Sequence, residues 1–156
     1  MHEKEFQKDV IELIRKIYPS CYLLNTSMRY TIGVPDLLIS INGKFIGIEL
    51  KMCYHAKCTI QNIFPKSRKQ IVTLSDIEQS KGKGYGLVLF SIPKRVMLFR
   101  IDFEKMALDE YGNFFTINNT CLYPITENPI KTYYIFKECL IDSIENLDTI
   151  LKTIGD

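Results

Sequence analysis

The sequence feature that most constrains the fold is a two-residue turn, Asn42-Gly43, set between two apolar segments. The first segment is residues 36–41, Asp-Leu-Leu-Ile-Ser-Ile, and the second is residues 44–51, Lys-Phe-Ile-Gly-Ile-Glu-Leu-Lys. Asn-Gly favours a type I′ turn, and a turn of that type joins the two strands of a tight β-hairpin. The sequence therefore predicts a hairpin over residues 36–51.

The turn also predicts the register of the hairpin. Paired residue numbers in such a hairpin have a constant sum, so Ile41 faces Lys44, and Asp36 faces Glu49. Because side chains alternate along a strand, one face of the hairpin is wholly aliphatic. These aliphatic residues are Leu37, Ile39, Ile41, Ile46, Ile48 and Leu50. The opposite face carries Asp36, Glu49 and Lys51.

Two opposed carboxylates destabilise a sheet, so a compensating charge is expected between Asp36 and Glu49. Mg²⁺ is a suitable cation, since it binds through one or two carboxylates and completes its shell with water and phosphate oxygens. Lys51 lies on the same face, roughly 6.7 Å beyond Glu49 at about 3.3 Å per residue. The alternative is a surface hairpin on which Glu49 and Lys51 are ordinary solvated residues.

Gly33-Val-Pro-Asp36, followed by a hairpin and Glu49-Leu-Lys51, resembles the motif of the PD-(D/E)XK nuclease superfamily. Within it, the chain resembles small VRR-NUC and Holliday-junction-resolvase-like nucleases. The resemblance covers residues 2–92 and implies a restriction-endonuclease-like α/β core of helix, three-stranded meander, helix and strand. It also implies that Asp36 and Glu49 hold a metal and that Lys51 orients or deprotonates the attacking water.

Upstream of this motif, residues 2–17 have the apolar spacing of an amphipathic helix that Pro19 closes. Glu3 lies on the edge of its apolar stripe, whereas Glu5 lies on the solvated face. The resemblance implies that Glu3 assists the metal site. The alternative is that Glu3 only complements the positive end of the helix dipole.

Downstream, Ser67-Arg-Lys-Gln70 is a capping-box pattern that predicts the start of a second helix, ending at Gly82-Lys-Gly84. The resemblance implies a catalytic Gln at this place, near the water or the phosphate, and Gln70 fits it better than Gln79. Gln70 could equally serve only to close its own helix cap. Residues 85–90 and 95–101 then predict two neighbouring strands.

The net charge of +2 hides an uneven distribution along the chain. Residues 1–100 carry 16 Lys and Arg against 8 Asp and Glu, whereas residues 101–156 carry 4 against 10. A basic half that holds a carboxylate cluster suits a polyanionic substrate such as DNA. The predicted DNA contacts are Arg29, Lys57, Lys66, Arg68 and Lys69. Each of these side chains could instead be an ordinary solvated charge.

The five cysteines are odd in number and occur without a secretory segment, which favours reduced thiols over a disulfide framework. Cys53, His55 and Cys58 suggest a zinc site, but structural zinc sites use four ligands in paired short spacings. We therefore do not favour zinc. The segment 54–64 shows no clear periodicity, and we expect it to be a loop near the site.

The length of 156 residues predicts one domain, divided into a nuclease core over residues 1–102 and an extension over residues 103–156 packed on it. Within the extension we expect a short helix at 103–108, a turn at 109–113, strands at 114–117 and 131–136, and a helix over 141–154. No apolar run reaches the ~20 residues of a membrane span, so no membrane partner is predicted. The start of the chain is unlike a signal peptide, and a cytoplasmic location is expected.

Together these features predict a divalent-metal-dependent DNA endonuclease that uses Mg²⁺, with Mn²⁺ able to substitute. The resemblance favours branched DNA, such as a Holliday junction or a flap, and resolving a junction would require a homodimer. A restriction-type endonuclease that cuts specific duplex sites is the enzymatic alternative. The alternative from another class is a nucleic-acid-binding module without catalytic activity.

Overall fold

A computed structural model of the chain describes residues 1–27, 33–64, 68–105, 120–124 and 126–156. The helices in these ranges are α1 (Glu3–Ile17), α2 (Ile60–Ile63), α3 (Arg68–Gln79), α4 (Pro129–Thr132) and α5 (Leu147–Leu151). The strands are β1 (Tyr22–Asn25), β2 (Leu37–Ile41), β3 (Lys44–Cys53), β4 (Cys58–Thr59), β5 (Lys83–Phe90), β6 (Arg95–Ile101), β7 (Cys121–Leu122) and β8 (Phe136–Ser143). Short 3-10 turns occupy Phe103–Lys105 and Ile144–Asn146.

The centre of the fold is a sheet in which the described strands follow the order β1-β2-β3-β5-β6-β8. Strands β3 and β5 are parallel, and the other neighbours are antiparallel. The parallel pair needs a crossover, which α3 supplies. The predicted order of helix, three-stranded meander, helix and strand is therefore confirmed in α1, β1–β3, α3 and β5. A small second sheet pairs β4 with β7.

One face of the sheet packs against α1 and α5. The α1 residues Phe6, Val10 and Ile14 are fully buried there, as the amphipathic spacing predicts. All six aliphatic hairpin residues belong to the same buried cluster. The aliphatic face of the hairpin therefore packs in this core, and its charged residues lie on the opposite face of the sheet.

The opposite face packs against α3 at two glycines, Gly47 on β3 and Gly84 on β5. A Cβ atom at Gly47 would fall 2.8 Å from the Cδ1 atom of Ile77, and one at Gly84 would fall 3.1 Å from the Cβ atom of Leu74. Since neither glycine has a side chain, α3 lies directly on the two parallel strands. This contact places the helix beside the strand that carries Glu49.

Glu78 anchors the C-terminal end of α3 to the sheet. Its carboxylate accepts hydrogen bonds from the Gly84 N–H at 2.7 Å and from the Arg100 guanidinium at 2.8 and 2.9 Å, and Lys137 forms an ion pair with it. Burial alone would raise the pKa of Glu78, but these donors and charges outweigh it and hold the pKa below its ordinary value. The helix is thus held by a buried ionic contact as well as by apolar packing.

The segment after β3 differs from the loop that its sequence predicts, because it contains β4 and α2. Thr59 caps α2: its hydroxyl accepts from the Asn62 N–H, and the Asn62 side chain accepts from the Thr59 N–H. Thr59-Ile-Gln-Asn62 is a short variant of the capping box, so the signal was present in the sequence. Apolar periodicity missed it because one helical turn is too short to show a period.

The extension beyond β6 also differs from its prediction. Residues 131–136 do not form a strand: Asn128 caps α4 with Pro129 at its first position, and β8 starts only at Phe136. Asn-Pro is a helix-start signal, which the β-branched and aromatic residues after it masked. Ile141 lies in β8 opposite Met97 and not in a helix, because pairing with β6 extends the strand to Ser143.

The apolar residues predicted for one face of the last helix are nevertheless buried together. Leu147, Ile150, Leu151 and Ile154 are buried and Ile144 is partly buried, all in the core beside α1. The predicted helix at 103–108 is a 3-10 turn over Phe103–Lys105 as far as it is described. Its remainder, the predicted turn at 109–113, the strand at 114–117 and the Ser67 cap lie outside the described residues.

None of the helices in the described ranges combines the length and the apolar character that a bilayer crossing requires. All five cysteines are free thiols.

Candidate active site

The β2–β3 hairpin has the predicted turn and register. Asn42 and Gly43 both have positive φ, 50° and 80°, as a type I′ turn requires. Ile41 pairs with Lys44, and the same register runs to the first residue of β2. The next position in that register brings Asp36 opposite Glu49.

Asp36 lies just before β2, and the neighbouring strands hold it in place. Its Oδ2 atom accepts a hydrogen bond from the Leu50 N–H at 2.8 Å, and its carbonyl oxygen accepts from the Thr26 N–H at 2.9 Å. The buried Thr26 hydroxyl donates to the carbonyl of Pro35. Thr26, which follows β1, therefore positions Pro35 and Asp36. No sequence motif predicts this role.

Glu49 is buried and one of its oxygens has no partner. The side chain is 6% exposed, and Oε2 has no hydrogen-bond partner. Burial, followed by the charge of Asp36 and with a smaller contribution from the charge of Glu3, raises the pKa of Glu49 to about 10. The pKa of Asp36 is raised as well by burial, although the Leu50 N–H and the Lys51 charge oppose that shift. The two carboxyl groups therefore have too little neighbouring positive charge and too few hydrogen-bond donors to stabilise both ionised forms.

Two clefts meet at Glu3, the exposed first residue of α1. The first cleft, of about 670 Å³, contains Asp36 and the start of α1. The second, of about 390 Å³, contains Lys51 and the segment after β3. Glu3 lines both clefts, whereas Glu5 lines only the first. Asp36 and Lys51 therefore line the two clefts beside the start of α1, whereas the buried Glu49 lines neither.

The carboxyl pair fits a divalent cation by its chemistry. A buried carboxylate oxygen without a donor, beside a second carboxyl group whose proton affinity is also raised, is a site that a hard cation stabilises. Asp36 and Glu49 are the residues that could hold one. Within the described ranges, however, no three His, Cys, Asp or Glu side chains are arranged as a ready ligand set. Glu3 acts on Glu49 through its charge.

The other predicted site residues lie in different surroundings. Gln70 lies half-buried in the first turn of α3 and lines neither cleft, so its catalytic role stays a prediction. Lys57 is exposed in the second cleft. Arg68 and Lys69 begin α3, while Arg29 and Lys66 lie outside the described residues.

Several residues at the site were not named as site residues from the sequence. The first cleft also holds His2, Lys4 and Ser27. The second holds Tyr54 and His55, which belong to the segment that the sequence places near the site. Each comes from a helix start or a turn, where no periodicity marks a functional side chain. Only their position next to the motif residues, which is a tertiary property, identifies them.

No family model matches the chain, and a search of curated proteins finds no match. Among solved structures, the chain is similar to Hjc, a Holliday junction resolvase from the archaeal hyperthermophile Archaeoglobus fulgidus. The likeness has a TM-score of 0.49 at 13% sequence identity and covers 94% of this chain and 98% of that chain. In the order of its core elements and in the motif residues of its hairpin, the chain resembles the PD-(D/E)XK nuclease superfamily.

Proposed function

We propose that the protein is a divalent-metal-dependent nuclease that hydrolyses phosphodiester bonds in DNA. The observation that carries this proposal is the carboxyl pair of half-buried Asp36 and buried Glu49, in which Oε2 of Glu49 has no partner and Lys51 is close enough for its charge to act on Asp36. Burying carboxyl groups without enough hydrogen-bond donors or positive charge lowers the stability of a folded protein. Groups whose pKa is strongly shifted by burial and by a neighbouring charge are typical of functional sites.

In this proposal Asp36 and Glu49 hold Mg²⁺ or Mn²⁺, and Glu3 assists directly or through water. The cation, when bound, polarises a phosphate oxygen and lowers the pKa of water. Lys51 orients or deprotonates the water that attacks phosphorus in line, and the P–O ester bond to the leaving oxygen breaks. The Leu50 N–H holds Asp36 in its orientation throughout. Gln70 is proposed to support the water or the phosphate.

Branched DNA is the proposed substrate, either a Holliday junction or a flap, and a homodimer is the proposed assembly. The basic first 100 residues support a polyanionic substrate, and the exposed Lys57 lies in a cleft of the site. Arg29, Lys66, Arg68 and Lys69 are proposed as further contacts. Phosphate contacts do not distinguish DNA from RNA, so a matched RNA belongs in the test.

The test compares junction, flap, single-stranded and plain duplex DNA, and an RNA duplex, in Mg²⁺ and in Ca²⁺. We expect Mg²⁺-dependent cleavage of branched DNA by the wild type and loss of cleavage in Lys51→Ala. Lys16→Ala, which removes an exposed lysine at the far end of α1, is the matched control and should cleave normally. Cleavage that survives Lys51→Ala would contradict the mechanism.

A nucleic-acid-binding module without catalysis is the second candidate. The observation in its favour is that the described acidic residues do not form a ready ligand set of three. The same assay distinguishes the candidates: DNA binding without cleavage in either metal supports the module. Cutting of plain duplex into discrete fragments would instead support a restriction-type enzyme.

A further inference from the structure

The turn at residues 54–57, which we name the Tyr54 turn, follows β3 directly and borders the second cleft. The buried Cys53 thiol holds its backbone, since Sγ lies 3.0 Å from the carbonyl oxygen of Lys57 and 3.3 Å from that of His55. The Tyr54 hydroxyl lies 4.0 Å from the Sδ atom of Met52 on the same strand. Both contacts tie the turn to β3 beside the site.

Tyr54 lines the second cleft and is 53% exposed there. Lys51, His55 and Lys57 line the same cleft. An aromatic ring that shares a cleft with two lysines combines the two elements with which proteins bind unpaired nucleotides: a face on which a base stacks and charges that attract the phosphate. The ring contributes nothing to either buried core.

The second cleft shares Glu3 with the first cleft, and Asp36 of the carboxyl pair lines that first cleft. A nucleotide in the second cleft would therefore lie next to the phosphate held at Asp36 and Glu49. A base in an intact duplex is stacked between its neighbours and cannot also stack on Tyr54. The cleft is suited to a nucleotide that has left the duplex.

We propose that the second cleft is a subsite for an unpaired nucleobase adjacent to the scissile phosphate. The base stacks on Tyr54, and Lys57 pairs with the adjoining phosphate. This inference rests on the proposed function, which puts the scissile phosphate at Asp36 and Glu49. It goes further by naming the substrate feature that the protein reads, an unpaired nucleotide beside the cut, and the residue that reads it.

The test measures binding by fluorescence anisotropy in Ca²⁺. It uses two duplexes with the same single-stranded extension, one with its bases and one built from abasic sugars. The phosphates are identical, so the difference in Kd isolates base stacking. We expect the wild type to bind the base-bearing DNA about tenfold more tightly, or about 1.4 kcal/mol. Tyr54→Ala should remove this difference and Tyr54→Phe should keep it, because the ring remains.

Tyr134→Ala is the matched control, since Tyr134 is 63% exposed and lines neither cleft, and it should keep the full difference. Equal affinity of the wild type for the two DNAs, or a difference that survives Tyr54→Ala, overturns the subsite. Cleavage in Mg²⁺ is scored separately. If base-dependent binding requires Tyr54 but nothing is cut, the subsite stands and the nuclease function fails. If DNA is cut without base dependence, only the subsite fails.

Discussion

Replacing Glu49 by glutamine tests the electrostatics of the site most directly. Burial and the Asp36 charge raise the pKa of Glu49 from 4.5 to about 10, so the folded protein keeps this proton to higher pH than the unfolded chain. Between those two pKa values the unfolded state binds fewer protons, and the free energy of unfolding therefore falls as pH rises. Below pH 4.5 both states are protonated and the effect vanishes.

The size of the effect follows from the difference between the working pH and the ordinary pKa of Glu49. At a pH of about 7.5, roughly 3 units above the ordinary value, each unit costs about 1.36 kcal/mol, giving about 4 kcal/mol. Glu49→Gln has no proton to lose and is nearly the same shape. We therefore expect the metal-free variant to be more stable than the wild type by about 4 kcal/mol at neutral pH, and equally stable at a pH of about 4.5.

Urea unfolding at several pH values, with the cation chelated, measures this difference. Glu12→Gln, which neutralises an exposed carboxylate on α1, is the control and should follow the wild type. Mn²⁺ should then stabilise the wild type, because a ligand that binds only the folded state raises its stability, and should stabilise Glu49→Gln less. Parallel pH profiles for the wild type and Glu49→Gln would contradict a raised pKa of Glu49 in the folded protein.

Two further predictions concern the support of the site. Gly86→Ala should lower the free energy of unfolding, measured in urea, by about 1–3 kcal/mol, because its Cβ atom would lie 2.8 Å from two ring atoms of the buried Phe99. Gly43→Ala is the control. Its Cβ atom would meet no other atom, so this variant measures only the cost of a positive φ. Thr26→Val should remove the donor to the Pro35 carbonyl and lower the cleavage rate by about tenfold or more through misplacement of the motif. Thr26→Ser should restore the rate, and a rate unchanged in Thr26→Val would contradict the positioning role.

The hairpin was predictable because its determinants are local. Asn42-Gly43 selects the turn by its backbone conformation, and strand alternation then assigns every side chain to a face. Asp36, Glu49 and Lys51 could therefore be placed relative to one another without knowledge of the fold. The same holds for α1, whose apolar spacing identifies its buried face, and for the boundaries of β6.

The extension was less predictable because longer-range contacts decided it. The apolar spacing that starts at Ile141 predicts a helix, yet Ile141 lies in β8 because β6 offers an unpaired edge there. Helix α2 is a single turn that depends on one cap, and no averaged pattern detects it. The pairing of β6 with β8 joins residues that lie too far apart for one sequence window. The cap of α2 involves only a few residues, and a window averages their signal away.

Local sequence signals specify which groups carry charge and how the hairpin arranges two carboxyl groups and an amine. The solvation of those groups depends on the whole fold, since the pKa of Glu49 depends on the elements that exclude water from it and on Glu3, which α1 brings from 46 residues away. The whole fold also leaves Tyr54 exposed in a cleft beside them. Burial and proximity are sums over the whole fold, so no local stretch of sequence can contain them.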